Sequence, residues 1–213
     1  MREPISRLHG IALPWLRDNV DTDELIPVFE NTRVVTTGWG DGLFAGKRYL
    51  DGTGRELDPN FILNKAPFDR ATILISGENF GCGSSRESAV WALRDYGFRI
   101  VLAISFNETF ERNCIINGLA PLRVSGSDIR RLTGLVERDP ERGLAIDLRR
   151  SLLAFGDLEQ NGEVFPYHLD PFYTMLLTSG QSEEDLLVGL QPRIDARRTA
   201  LLAASPWLGQ GLL

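Results

Sequence analysis

The stretch ATILISGENFGCGSSRESAVWALRDYGFRIVLAIS, residues 71–105, contains two apolar runs with a polar loop and a longer amphipathic segment between them. Both runs are short and rich in β-branched residues, which is typical of strands buried on both faces. The segment between them has apolar residues at helical spacing and ends at Gly97, a residue type that commonly ends helices. The order predicts two parallel strands joined by a right-handed crossover helix.

The same alternation extends in both directions along the chain. NETFERNCIING (107–118) predicts a second helix and LAPLRV (119–124) a third short strand, while LHGIALPW (8–15) predicts a lead-in strand. Residues 30–60 show little regular pattern, and the part from 36 to 54 holds six glycines, which predicts a long loop.

Beyond residue 124 the pattern changes. SDIRRLTGLVER predicts a short helix capped by Ser127 or Asp128. GLAIDLRRSLLAFGD and GEVFPYHLD predict two strands of a meander, and DPFYTMLLTSG predicts a helix that ends at Gly180. Residues 182–213 predict a further helix interrupted by Pro192. The whole predicts an α/β domain with a C-terminal arm.

Composition excludes several classes of function. The 213 residues are 43% hydrophobic and carry a formal net charge of −6, which disfavours nucleic-acid binding through phosphate contacts. Two cysteines and two histidines are too few for a disulfide framework, a structural zinc site or an iron–sulfur cluster. Neither a signal peptide nor a run of 18 apolar residues is found, so we expect a cytoplasmic protein that does not enter a membrane.

The glycine-rich loop before the first helix admits several interpretations. It lacks the lysine of a Walker loop, and Arg86 stands where a dinucleotide-binding loop has its third glycine. Cys82 lies near a helix N-terminus, where a thiol pKa can fall, but no histidine is close in sequence to act as a base. A small side chain in a tight loop is the favoured interpretation of this cysteine.

A serine site is the remaining interpretation of this loop. Ser84 and Ser85 come where the helix begins, and helix N-termini favour anions. Arg86 adds a planar group suited to carboxylates. The competing explanation is an ordinary serine N-cap supported by Glu87, which accounts for one serine and the glutamate only.

Four motifs together resemble one known family, the small subunits of 3-isopropylmalate dehydratase, the swivelling domain of the aconitase superfamily. The resemblance covers roughly residues 5–190 and rests on NVDTDELIP (19–27), ENFGCGSSRE (78–87), WALRDYGF (91–98) and SFNETFERNCIINGLAPL (105–122). It implies a three-layer β/β/α swivelling domain with a mostly parallel central sheet over residues 1–190, and a helical C-terminal arm over 191–213.

The resemblance also implies an activity shared between two chains. The family isomerises 2-isopropylmalate and 3-isopropylmalate by dehydration and rehydration in leucine biosynthesis. A large subunit carries a [4Fe–4S] cluster that acts as a Lewis acid, in a heterodimer or a dimer of heterodimers. The small subunit holds no metal and supplies a serine base and groups that bind the carboxylates of the alkylmalate substrate.

Carried over residue by residue, the resemblance assigns roles to six positions. Ser84 corresponds to the base, supported by Arg86 and the helix N-terminus, and Asp23 to an acid that organises the site. The substrate contacts expected from the resemblance are Ser85, Thr22 and, in the glycine-rich segment 31–47 that sets substrate choice, Arg33. For Asp23, an ordinary turn or helix cap is an equally good explanation.

One departure from the family pattern concerns the residues after Glu87. The family usually has histidine and proline where this chain has Ser88 and Val90. The difference leaves open an enzyme for another alkylmalate, such as citramalate, dimethylmalate or homoaconitate, or a non-catalytic interaction subunit. A stand-alone serine hydrolase is disfavoured because the chain has no Gly-x-Ser-x-Gly motif.

Overall fold

The structure is a computed structural model that describes residues 3–31, 38–51, 54–83, 86–159 and 162–205. The chain divides into two compact units. Of the described residues, those from 3 to 180 belong to the larger unit and those from 181 to 205 to the smaller one.

The larger unit contains two four-stranded sheets. Their strands in chain order are β1 (Arg7–Gly10), β2 (Ala12–Pro14), β3 (Ile73–Ile75), β4 (Ile100–Ala103), β5 (Ala120–Arg123), β6 (Leu144–Asp147), β7 (Leu152–Phe155) and β8 (Glu163–Phe165). One sheet has the order β2-β3-β4-β5 with every pair parallel. The other has the order β1-β6-β7-β8 with every pair antiparallel.

The parallel sheet confirms the predicted strand–helix–strand order. Its central strands are buried along their whole length, as the unbroken apolar runs predicted. The antiparallel sheet corrects a prediction, because GLAIDLRRSLLAFGD forms two strands and the meander therefore has three. The turn between β6 and β7 passes through Ser151 with a φ of 53°, and it has no Asn-Gly or Asp-Gly pair that would have marked it in the sequence.

The helices in chain order are α1 (Thr22–Leu25), α2 (Val28–Asn31), α3 (Ala45–Arg48), α4 (Ser88–Tyr96), α5 (Glu108–Asn117), α6 (Gly126–Arg138), α7 (Pro171–Ser179) and α8 (Glu183–Ala204), the last in the smaller unit. Short 3₁₀ turns are found at Trp39–Gly42, Ile62–Asn64, Phe68–Arg70 and Pro140–Arg142. The described part of residues 30–60 is therefore not one long loop, since it is built from several single-turn helices.

Two details of the helices differ from the predictions. Helix α6 is capped by Ser125, whose side chain accepts a hydrogen bond from the N–H of Asp128, so neither Ser127 nor Asp128 is the cap. Helix α8 runs through Pro192 without a break. Proline removes only one backbone hydrogen bond of the helix, and the flanking residues are mostly good helix formers that maintain it. The domain boundary expected at residues 190 and 191 falls within α8, and the extent of the swivelling domain stays a prediction.

The main core lies against the parallel sheet. Its buried cluster joins strand residues such as Leu74 and Val101 to helix residues such as Leu93 and Cys114. Phe80, in the loop after β3, packs edge-on against the rings of Phe106 and Phe110. These apolar contacts fix the loops that follow β3 and β4, which matter for the site.

Candidate functional site

The candidate site lies where the strands of the parallel sheet end. The loops after β2 and β3 are joined by a bridge between Asp21 and Cys82, and those after β3 and β4 by a bridge between Phe80 and Phe106. These bridges continue the sheet past its regular strands. In open α/β sheets, ligands characteristically bind outside this carboxyl edge.

Main-chain hydrogen bonds hold the first two loops together. The N–H of Gly81 donates to the carbonyl of Val20 at 2.9 Å, and the N–H of Thr22 donates to the carbonyl of Cys82 at 2.9 Å. Gly83 has a φ of +90°, and a Cβ there would lie 2.4 Å from a carboxylate oxygen of Asp21. The loop therefore needs glycine at this position for both conformation and space.

Asp21 orients the short helix that carries Asp23. Its carboxylate accepts a hydrogen bond from the N–H of Asp23 at 2.7 Å, which makes Asp21 the N-cap of α1. Asp21 is not among the predicted site residues, although an Asp-x-Asp pattern is a signal for such a cap. Thr22, expected to contact substrate, is buried beside it, and that role stays a prediction.

The structure brings two predicted catalytic residues together. Arg86, just before α4, forms an ion pair with the carboxylate of Asp23 on α1. The side chains are 30% and 52% exposed, so a solute can reach both. Exposed ion pairs contribute little to stability, and what this one provides is a fixed position for the guanidinium.

More charge surrounds α1. Glu24 accepts a hydrogen bond from Arg17 at 3.3 Å and forms an ion pair with Lys47 at 3.8 Å. The cationic groups around α1 are therefore paired with the carboxylates that this helix carries.

Three predicted site residues lie outside the described ranges. They are Ser84, Ser85 and Arg33. Their predicted roles as base and as substrate contacts stay predictions.

No residue in the described ranges caps the start of helix α4, beside the site, with its side chain. Its N-cap residue is Glu87, not a serine, and Glu87 makes no capping hydrogen bond. The carboxylate of Glu87 instead accepts a hydrogen bond from the side-chain amide of Asn117, at 3.5 Å. The explanation of this loop as an ordinary serine cap depends on Ser84 and Ser85, which lie outside the described residues, and it stays an open alternative.

The thiol interpretation of the loop receives no support. Burial raises the pKa of Cys82, and the nearby carboxylate of Asp21 raises it further. Cys82 therefore stays a neutral thiol at physiological pH, since the nucleophilic form is the thiolate. Burial also raises the pKa of Cys114 well above its ordinary value.

Neither a metal centre nor a membrane span is found in the part of the chain that the structure describes. Within those ranges, no three His, Cys, Asp or Glu side chains come together so that they could hold a metal ion. No described helix is both long and apolar enough to cross a bilayer.

Comparison with known proteins shows the family. The family described as the aconitase C-terminal domain matches residues 2–127. The chain belongs to the aconitase C-terminal domain family. This confirms the predicted family and the α/β swivelling-domain fold.

Members of the aconitase C-terminal domain family resemble this chain over nearly all of its length. The 3-isopropylmalate dehydratase small subunit of Rhodopseudomonas palustris (strain TIE-1) is 40% identical, over 96% of this chain and 99% of that protein. The one from Cupriavidus necator is 39% identical, over 97% and 98%. The crystal structure of 3-isopropylmalate dehydratase from Methanocaldococcus jannaschii is 25% identical, with a TM-score of 0.59 over 90% of this chain and 99% of that one. The chain is thus an aconitase-family hydro-lyase subunit of the small-subunit type.

Proposed function

We propose that this chain is the small subunit of a two-chain hydro-lyase that interconverts 2-isopropylmalate and 3-isopropylmalate in leucine biosynthesis, in the cytoplasm. The relatives named 3-isopropylmalate dehydratase small subunits support this substrate, at about 40% identity over nearly the full chain. The observation that carries the proposal is the Arg86–Asp23 pair, which solutes can reach and which lies beside a helix N-terminus that no described side chain caps. Such a place suits the carboxylates of an alkylmalate.

The partner in this proposal is a large subunit that carries the [4Fe–4S] cluster, in a heterodimer or a dimer of heterodimers. The name "small subunit" given to the relatives supports a second chain. The chain itself has only two cysteines, Cys82 and Cys114, and both have raised thiol pKa values. Cluster ligation requires several thiolates, so these residues do not fit a cluster and none is placed in this chain.

Each site residue then has a role. Ser84 removes the proton from the substrate carbon, and because an alkoxide is costly at neutral pH, Arg86 and the N-terminus of α4 stabilise its charge. Asp23 holds the guanidinium of Arg86 in place. The remaining contacts to the substrate are proposed for Ser85, Thr22 and Arg33.

A second candidate keeps the chemistry and changes the substrate. Ser88 and Val90, where the family usually has histidine and proline, are both buried directly after the site loop. A changed packing at this place supports a different alkyl group on the malate, as in citramalate, dimethylmalate or homoaconitate. A non-catalytic subunit is disfavoured because Arg86 and Asp23 are both present and paired.

The test is reconstitution with the cluster-bearing large subunit. The purified chain alone is expected to be inactive, and the pair to dehydrate 3-isopropylmalate, measured as alkene formation. Assays of the pair with a panel of 2-alkylmalates decide between the two candidates. Turnover by the isolated chain, or a pair that is inactive with every alkylmalate, contradicts the proposal.

Ser84→Ala in the same pair tests the proposed base. We expect kcat to fall about 10²–10⁴-fold, the usual contribution of a proton-transfer group, while the two subunits still assemble. Ser127→Ala, an exposed serine on α6, is the matched control and should leave the rate unchanged. Near-normal turnover by Ser84→Ala would show that this serine is not the base.

A further inference from the structure

Ser88 stands at the junction between the candidate site and the core. It is the first residue of α4 and follows the ion-paired Arg86 by two positions. It is only 7% exposed. A hydroxyl at this depth normally has a hydrogen-bond partner within the protein.

The hydroxyl of Ser88 has no such partner among the described residues. Removing a hydroxyl from water without replacing its hydrogen bonds destabilises the folded chain. Unsatisfied groups of this kind concentrate at functional sites, where a ligand completes the set. Serine has a low helix propensity and is favoured at helix caps, but Ser88 lies within the first turn and does not cap the helix.

The N-terminus of α4 points to the same kind of ligand. The four other helices of nine or more residues in the described chain each have a capping side chain, from Asn107, Ser125, Asp170 and Ser182. Helix α4 has none from a described residue, and the carboxylate of its N-cap residue, Glu87, accepts a hydrogen bond from Asn117 instead. The first-turn N–H groups and the Ser88 O–H are all donors, and together they match a carboxylate, which only accepts.

Ser88 begins a helix whose neighbours include an element of the candidate site. Asp95, seven residues on and therefore on the same face, accepts a hydrogen bond from the N–H of Gly40 at 2.9 Å. Trp91, one turn after Ser88, contacts the ring of Trp39. Helix α4 also packs against α1, which carries Asp23. Trp91 and Asp95 are exposed, so the packing of α4 on α1 is the contact that relates Ser88 to the ion pair.

We infer that Ser88 is a substrate-binding residue, whose hydroxyl donates a hydrogen bond to the substrate carboxylate held by Arg86 and the first turn of α4. The inference rests on the proposed function for the identity of that substrate. The substrate carboxylate would accept the hydrogen bond that the Ser88 hydroxyl does not make in the folded chain. Binding would therefore offset part of the free energy lost when this hydroxyl is buried.

The test compares Ser88→Ala with Thr133→Val. Thr133 is the control because its hydroxyl is also buried and without a partner among the described residues, but it lies on α6. Thermal denaturation of the isolated chains should give a Tm for each variant equal to or above that of the wild type. In the reconstituted pair, Ser88→Ala should raise KM about tenfold, the effect of one lost hydrogen bond to a charged group, and Thr133→Val should not change it.

A second measurement separates this inference from the proposed function. Malate and inorganic sulfate are added to the isolated chain, and the shift in Tm is recorded. Malate should raise the Tm of the wild type and of Thr133→Val more than that of Ser88→Ala. With sulfate, the difference in Tm shift between Ser88→Ala and the other two chains should be smaller. If the pair turns over no alkylmalate but this malate pattern holds, the proposed function fails and the inference stands.

The converse results overturn the inference. An active pair in which Ser88→Ala has the wild-type KM shows that the hydroxyl does not touch substrate. A lowered Tm for Ser88→Ala with an unchanged KM shows that the hydroxyl has a structural partner.

Discussion

Helices α4 and α5 occupy equivalent positions after strands of the parallel sheet, but their N-termini differ in capping. Each follows a buried strand of the parallel sheet, and each ends at a glycine with positive φ, Gly97 or Gly118. The side chain of Asn107 caps α5 by accepting hydrogen bonds from the N–H groups of Thr109 and Phe110, at 3.1 and 3.3 Å. For α4, no such cap comes from the part of the chain that the structure describes.

The difference distinguishes a helix N-terminus that serves only the fold from one that can bind a ligand. A side-chain cap satisfies the first-turn N–H groups permanently, and it then competes with any ligand for them. An uncapped start stays able to bind an anion. The same contrast appears in the ion pairs, since Arg86 pairs across two site loops while Arg123 pairs with Glu111 on α5.

The largest effect is expected from the two arginines. Arg86→Gln in the reconstituted pair should lower kcat/KM about 10²–10³-fold, because it removes a cation that stabilises charge at the site. Arg123→Gln is the matched control. It breaks the contacts of Arg123 to Glu111, at 2.5 and 3.1 Å, and should cost at most about 1 kcal/mol of stability, with kcat/KM unchanged.

Steady-state kinetics and thermal denaturation of both variants test this contrast. Equal losses of kcat/KM in Arg86→Gln and Arg123→Gln would mean that the two pairs have the same structural task, and the distinction between the two helix starts would fail.

A smaller effect is expected from the helix caps. Asn107→Ala should cost about 1 kcal/mol, a fall in Tm of about 2–4 °C, because the first turn of α5 loses its acceptor. Glu87→Ala should change stability by no more than about 0.5 kcal/mol, since Glu87 caps nothing. Chemical denaturation of the isolated chains measures both. A larger loss for Glu87→Ala would show that α4 has a side-chain cap after all.

The smallest effect is expected from the two cysteines, Cys82 in the loop before α4 and Cys114 within α5. Because the pKa of both thiols is raised, a thiol reagent at neutral pH should label the native chain more slowly than the denatured chain, and Cys114 more slowly than the partly exposed Cys82. For both thiols the labelling rate should rise with pH beyond the ordinary thiol range. Cys82→Ala should keep near-wild-type turnover in the pair. Fast labelling of Cys82 below pH 8 would instead mean that the α4 N-terminus stabilises its thiolate.

The sequence alone predicted the elements that depend on local pattern. The apolar runs around Leu74 and Val101 gave the parallel strands, and the glycines after α4, α5 and α7 marked the helix ends. These features depend on residues close together in the chain, so periodicity and turn chemistry suffice.

Other features depend on competition or on distant contacts. Ser125, Ser127 and Asp128 are all capping residue types, and only the folded backbone shows that Ser125 is the cap. The pairing of Arg86 with Asp23 joins two different loops and was not predicted, because the resemblance to a family only assigned both residues to one site. Neither the missing cap of α4 nor the unpartnered hydroxyl of Ser88 leaves a trace in the sequence, because each depends on where neighbouring side chains turn.

The main-chain bonds between the first two loops also bear on how such a site can evolve. These hydrogen bonds join Gly81 to Val20 and Thr22 to Cys82 through backbone atoms, which are the same whatever side chains the loop carries. Side chains around the pair can therefore be exchanged while its supports keep their spacing, and substrate range can diverge among relatives without a new scaffold. A library randomised at Ser88 and Val90 is a natural starting point for engineering this chain toward other hydroxy acids.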